Sequence, residues 1–184
     1  ILSKHFKMKK SLFTICLLSI FFGANAQTFE WARSFGGSSD DFGYSISVDA
    51  SGNVYTAGYF QGTVDFDPGA GTANLISIGG FDVFVQKLDP SGNFLWAKSF
   101  GSSNDDRGKA VAADAAGNVY TTGRFEETVD FDPGAGGEFY ASFGFADTYI
   151  QKLDANGDFI WAKTFGGAAG DQGLALRVDA SGNA

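Results

Sequence analysis

Aspartate is the residue type in this chain best placed to do chemistry. Asp40-Asp41 and Asp105-Asp106 are pairs at matching places in a repeated phrase, and Asp171 follows Gly170 in a third copy. Set side by side, Asp41, Asp106 and Asp171 would form a ring of carboxylates at one mouth of a channel, fit for a cation or a cationic ligand. The alternative is that each caps the start of a strand by accepting backbone N–H groups. A second set lies in TVDFDPGAG, at Thr63 to Gly71 and unchanged at Thr128 to Gly136. There Asp65, Asp67, Asp130 and Asp132 are candidate oxygen ligands for calcium, in loops that also expose backbone carbonyls. The phrase lacks a full ladder of ligands, and its other reading is a turn shaped by Pro68 and Gly69 in which Asp67 bonds locally. Asp154-Ala155-Asn156-Gly157-Asp158 resembles the first half of an EF-hand loop. Phe159 stands where that loop needs glycine, however, and no acidic residue fills its twelfth position, so it reads as a hairpin turn. Trp31, Trp96, Trp161, Tyr55 and Tyr120 would suit sugar stacking, but their fixed recurrence points to packing between repeated units.

Other chemistries depend on where the folded chain starts. Met8 is the expected start. Two lysines follow it, then the apolar run Ser11 to Gly23, then Ala24-Asn25-Ala26 before Gln27. This is the layout of a secretory signal peptide cleaved after Ala26, giving upstream residues and leader over 1–26 and a folded part over 27–184. The run is shorter than the ~20 residues of a membrane-spanning helix, so no span is expected in the mature chain. Cleavage removes Cys16, His5, Met8 and four lysines, and takes the 13 basic residues to 9 against 21 acidic. Residues 27–184 then hold no thiol nucleophile, no Ser-His-Asp triad, no histidine or cysteine for zinc or copper, and no disulfide. The acidity argues against nucleic acid as a partner, which needs a basic footprint.

The elements that must position these residues recur every 65 residues. Trp31, Trp96 and Trp161 open WARSFGG, WAKSFGS and WAKTFGG. VDASGNVYTAG at Val48 to Gly58 returns as ADAAGNVYTTG, and FDVFVQKLD at Phe81 to Asp89 returns as ADTYIQKLD. Repeat 1 therefore covers about 31–95, repeat 2 about 96–160, and a partial repeat 3 covers 161–184. Within one period four strands are expected: Gly43 to Asp49, Asn53 to Phe60, Asp82 to Asp89 and Asn93 to Phe100. Asp-x-x-Gly-Asn turns join them in pairs, with Asp accepting backbone N–H groups and Gly at positive φ. Thr28 to Phe35 matches the outermost strand, and Leu174 to Val178 is expected as a further inner strand.

A four-stranded antiparallel meander repeated in tandem is a β-propeller blade, whose two apolar faces must be covered by neighbours. Ser45, Ser47, Ala110 and Ala112 keep one face of the innermost strand small, as space near an axis requires. The fold class is all-β, with about two complete blades and partial flanking blades in an open arc.

The phrases DxxGNVYxxG and DxFVQKLDxxGxxxW resemble the SBBP-type beta-propeller repeat of exported bacterial proteins. The VDFDPGAG insert is similar to versions in surface and secreted proteins of Bacteroidetes. The resemblance covers nearly all of residues 31–183 and implies the fold, but no shared activity. The expected function is an exported, non-enzymatic scaffold or interaction module, outside the cell or at its surface, with a protein or glycan partner and no cofactor. The alternatives are a calcium-dependent ligand- or glycan-binding module and the non-catalytic part of a larger propeller enzyme.

Overall fold

The computed structural model of the chain describes residues 29–179 and 181–184. The expected leader over 1–26 lies outside them. The described residues form thirteen strands: β1 (Gly36–Gly37), β2 (Asp41–Val48), β3 (Val54–Phe60), β4 (Thr63–Asp65), β5 (Asn74–Ile76), β6 (Asp82–Leu88), β7 (Phe94–Phe100), β8 (Arg107–Ala113), β9 (Val119–Phe125), β10 (Thr128–Asp130), β11 (Phe139–Ala141), β12 (Asp147–Leu153) and β13 (Phe159–Phe165). Among these residues no helix is long and apolar enough to cross a membrane.

Two antiparallel sheets carry the repeat. One runs β2-β3-β6-β7 and the other β8-β9-β12-β13. Each is a propeller blade, and the four expected strands of a period lie within two residues of those observed. Val, Ile, Tyr and Phe make these strands because branched and aromatic side chains pack well on a pleated surface. Strand β6 is buried at every position, as a central strand covered on both faces must be.

The inner pair of each blade contains a bulge, between Gly43 and Ser45 in β2 and between Gly108 and Ala110 in β8. The bulge explains the glycine that ends YTAG and YTTG. A Cβ on Gly58 would overlap the Phe42 carbonyl oxygen, and one on Gly123 would overlap that of Arg107. Only glycine lets the second strand approach the bulge so closely.

The turns close as the sequence suggests. Asp49, Asp89, Asp114, Asp154 and Asp179 each accept the N–H groups two and four residues on, at 2.7–2.9 Å. In four of them Asn at the fifth position adds a side-chain bond to the same carboxylate. Gly92 takes φ 76 in its turn.

Between the second and third strands of each blade the chain makes an extra hairpin: β4-β5 in the first and β10-β11 in the second. Sequence reading treats TVDFDPGAG as a loop; the structure gives it strands and a core residue. Phe66 and Phe131 are fully buried. Gln86 Nε2 donates to the Phe66 carbonyl at 2.6 Å, and Gln151 Nε2 to that of Phe131 at 2.7 Å.

Packing between blades repeats with the sequence. The Trp96 indole N–H donates to the Ala155 carbonyl at 3.1 Å, and Trp31 makes the same bond to Pro90 at 2.9 Å. Each indole lies over a turn glycine, Gly157 or Gly92, where a Cβ would press on the ring. Phe100 on β7 packs against Phe131 with ring centroids 5.1 Å apart, as Phe35 packs against Phe66 at 5.2 Å. Ser45 and Ser47 on β2 accept the Val111 and Ala113 N–H groups of β8, both at 3.2 Å. These hydroxyls satisfy donors that an inner edge strand would otherwise leave unpaired.

Two expected strands differ. Residues 31–35 sit where an outermost strand would stack on the first blade, yet they form no ladder; only β1 pairs, with β4. Residues 174–178 also lack a ladder. A strand is defined by its partner, and no described residue pairs with this segment. It is anchored by Gly173 N–H donating to the Gly123 carbonyl at 2.9 Å.

Candidate functional site

The carboxylates named from sequence occupy one kind of position. Asp41 accepts the Gly37 N–H at 2.7 Å, and Asp171 the Gly167 N–H at 2.8 Å. Asp106 accepts the Ser102 N–H and, through its other oxygen, the Glu126 N–H at 2.8 Å. Each thus ties down the backbone four residues before it, Asp41 at the first residue of β2 and Asp106 just ahead of β8. Asp82 and Asp147 do the same for Ile78 and Phe143 at the start of the third strands. Sequence reading passed over these two, although the same spacing would have found them.

Asp106 and Asp82 are fully buried. Burial pushes Asp106 up to about 6, against the hydrogen bonds it accepts. Burial likewise pushes Asp82 up to about 7, and the charge of Asp106 adds to the effect. A carboxylate taken out of water favours its neutral form.

The insert carboxylates bond within their own hairpins. Asp65 Oδ1 accepts from Asp67 N at 3.0 Å and Ala73 N at 2.8 Å, while Asp67 Oδ1 accepts from Gly69 N at 2.7 Å. Asp130 and Asp132 repeat this with Asp132 N, Glu138 N and Gly134 N. Among the described residues no three acidic, histidine or cysteine side chains converge as a metal site would require. Asp154 is held by its own hairpin turn. Tyr55 and Tyr120 are buried, and their hydroxyls donate to the Gly117 carbonyl at 3.0 Å and the Gly182 carbonyl at 2.8 Å.

A different feature presents side chains to solvent. The inner strands β2 and β8 and residues 174–177 lie side by side and line a groove of about 520 Å³. Tyr44, Ile46 and Leu174 are exposed there, 54%, 68% and 67%. Lys109 crosses from β8 to β2, its Nζ 3.6 Å from the Tyr44 ring centroid and 4.9 Å from that of Tyr59. Arg107 lies beside it over Tyr59 and Phe81, at 5.3 and 5.5 Å, and pairs with Asp105 at 2.7 Å. Sequence reading missed this arrangement, because its members are single residues in separate repeats.

Comparison with known proteins agrees with the blade geometry. Residues 30–59 match the family model of the SBBP beta-propeller repeat. An uncharacterized WD repeat-containing protein of Acanthamoeba polyphaga mimivirus is 28% identical over 112 residues, 53% of this chain and 8% of that protein. The regulatory protein FlaEY of Caulobacter vibrioides is 28% identical over 101 residues, 55% of this chain and 11% of that protein. The aligned part thus spans about a tenth of these relatives' length.

Proposed function

We propose that this chain, a propeller-type repeat protein, serves as an exported, non-enzymatic interaction scaffold, outside the cell or at its surface. The observation that carries the non-enzymatic reading is what the carboxylates do. Asp41, Asp106 and Asp171 and the pairs Asp65/Asp67 and Asp130/Asp132 each bind backbone N–H groups of their own loops. A general acid or base must aim an oxygen at a reacting centre it shares with other groups, and among the described residues no three acidic, histidine or cysteine side chains converge. These groups instead repeat one structural task per blade, as tandem units do. Export is supported by the apolar run ahead of Ala24-Asn25-Ala26.

The test is fractionation of cells producing the full-length protein, with protease treatment of intact cells and N-terminal sequencing. The expected product lies outside the cytoplasm and begins at Gln27. Cytoplasmic protein beginning at Met8 overturns the export reading.

A further inference from the structure

The repeats serve as an internal comparison. The two insert hairpins keep one inward-facing frame, Val64, Phe66 and Leu75 in the first and Val129, Phe131 and Tyr140 in the second. They differ on the outer face of the second strand and just past it, where Asn74 and Ile78 of the first give way to Phe139 and Phe143. A position that changes while its frame is kept is free to serve the individual protein. Both phenylalanines are exposed, and the first insert shows that the fold needs no ring at either place. Their exposure does not depend on which blade follows. Ile78 holds the place of Phe143 with the next blade packed beside it, and is 73% exposed against 71%. Asn74, in the place of Phe139, is exposed there as well.

The backbone beside these rings is open too. Among the described residues β11 pairs only with β10. The hairpin bonds run through Glu138, whose carbonyl accepts from Phe131, and Ser142, whose N–H donates to Glu127. By the alternation of an antiparallel pair, Tyr140 bonds inward, while Phe139 and Ala141 turn their N–H and C=O groups out from the edge. Proteins commonly guard such an edge with lysine, proline or a bulge, and β11 carries none of these. The charge around it has one sign. From Phe125 to Ala146 there is no lysine, arginine or histidine. Glu127, Asp130, Asp132 and Glu138 have no ion pair among the described residues, and Asp130 is the cross-strand partner of Phe139. A second copy of this edge would set like charges against each other, whereas a basic partner is attracted.

We propose that the β11 edge binds an extended, basic segment of a partner protein by strand addition. The segment's backbone pairs with Phe139 and Ala141, its alternate apolar side chains pack on Phe139 and Phe143, and its basic side chains face the acidic residues of the hairpin. Main-chain bonds hold such a segment, and the rings select its side chains. The inference rests on the interaction-scaffold reading and names the kind of partner. The two can fail separately, since fractionation tests export and peptide binding tests this edge.

The experiment is peptide binding to the full chain, followed by fluorescence anisotropy and amide hydrogen exchange. The probe is a capped heptapeptide of alternating lysine and valine. One control has glutamate for every lysine, and another has proline for the central valine. The lysine peptide is expected to bind and to slow exchange at the Phe139 and Ala141 amides, with both controls about tenfold weaker or more. Ala141→Pro removes an N–H that points outward, which an edge strand tolerates, and should weaken binding about tenfold. Phe139→Asn installs the residue that the first insert carries at this place, so folding is preserved, and should also weaken binding about tenfold. No saturable binding of the lysine peptide up to about 1 mM, binding unchanged by both substitutions, or equal binding of the glutamate peptide overturns the proposal. So does a dimer of the chain that Ala141→Pro disrupts, which would give the edge to a second copy.

Discussion

The Tyr55 hydroxyl on β3 donates to the Gly117 carbonyl, 62 residues away in the turn of the next blade, at 3.0 Å. Asp49 lies within 3.0 Å of the same hydroxyl, so one side chain joins its own turn to its neighbour's. Burial raises the Tyr55 hydroxyl well above its usual pKa, and the adjacent carboxylate adds to this, so it remains a neutral donor. Tyr55→Phe keeps the ring and leaves the Gly117 oxygen unsatisfied. The expected loss is about 1–2 kcal/mol in urea unfolding, with an unchanged denaturant slope. A loss below about 0.3 kcal/mol would show that water replaces the bond.

Phe131 is the second joint. It is fully buried and contacts Phe100 of the preceding blade as well as Phe125 and Tyr149 of its own. Phe131→Ala should lower stability by about 3–5 kcal/mol and speed hydrogen exchange across β10 and β11. Asp132→Ala, at the next position in sequence, removes one bond to Gly134 N and should cost under about 1 kcal/mol. Equal effects would contradict the view that the phenylalanine anchors this insert.

The contrast between Phe131 and Asp132 shows what the sequence can express. Strands β3, β6, β9 and β12 were legible because β-branched and aromatic runs lie between Asp-x-x-Gly turns, all local signals. The insert was not. A phenylalanine among Gly, Pro and Asp reads as part of a turn, and its burial comes from Phe100, 31 positions earlier in the chain. For Asp41 and Asp106, capping and ligation call for the same oxygen chemistry, so sequence left both readings open and geometry assigned the bonds. Lys109 reaches the Tyr44 ring from the next blade, and only the stacking of inner strands brings the two together.

Calcium binding by the insert should be weak. In each hairpin Oδ1 of both aspartates already accepts backbone N–H groups. Two remaining carboxylate oxygens fall well short of the six to eight ligands that calcium takes. Calorimetric titration is expected to give no site tighter than about 1 mM. A site tighter than about 10 μM that is lost in Asp65→Asn with Asp67→Asn would restore the calcium-dependent reading.

The pH dependence follows from two opposed sets of aspartates. In the turns, Asn93 and Ser91 N–H groups and the Asn93 amide hold Asp89 below its ordinary value of 3.8. Asp49 and Asp114 are held below it as well, since their turn bonds outweigh the opposing effect of burial. A depressed folded pKa contributes stability above 3.8 that is lost as pH falls further. Asp82 and Asp106 act in the opposite sense, raised by burial to about 7 and about 6. Between roughly pH 4 and 7 the folded chain therefore holds protons that the unfolded chain has released. Stability must fall as pH rises through this window, by an amount on the order of a few kcal/mol for the two groups together. Maximum stability is expected near pH 4–5, with a plateau above about pH 7. Asp82→Asn keeps an oxygen for the Ile78 N–H and carries no charge. It should be at least as stable as the parent at pH 8, nearly neutral at pH 4.5, and flatter in between. Urea unfolding midpoints measured from pH 4 to 8 check this directly. A parent midpoint that climbs from pH 5 to 8, or a variant with an undiminished slope, would show that Asp82 is ionised and well solvated in the folded protein.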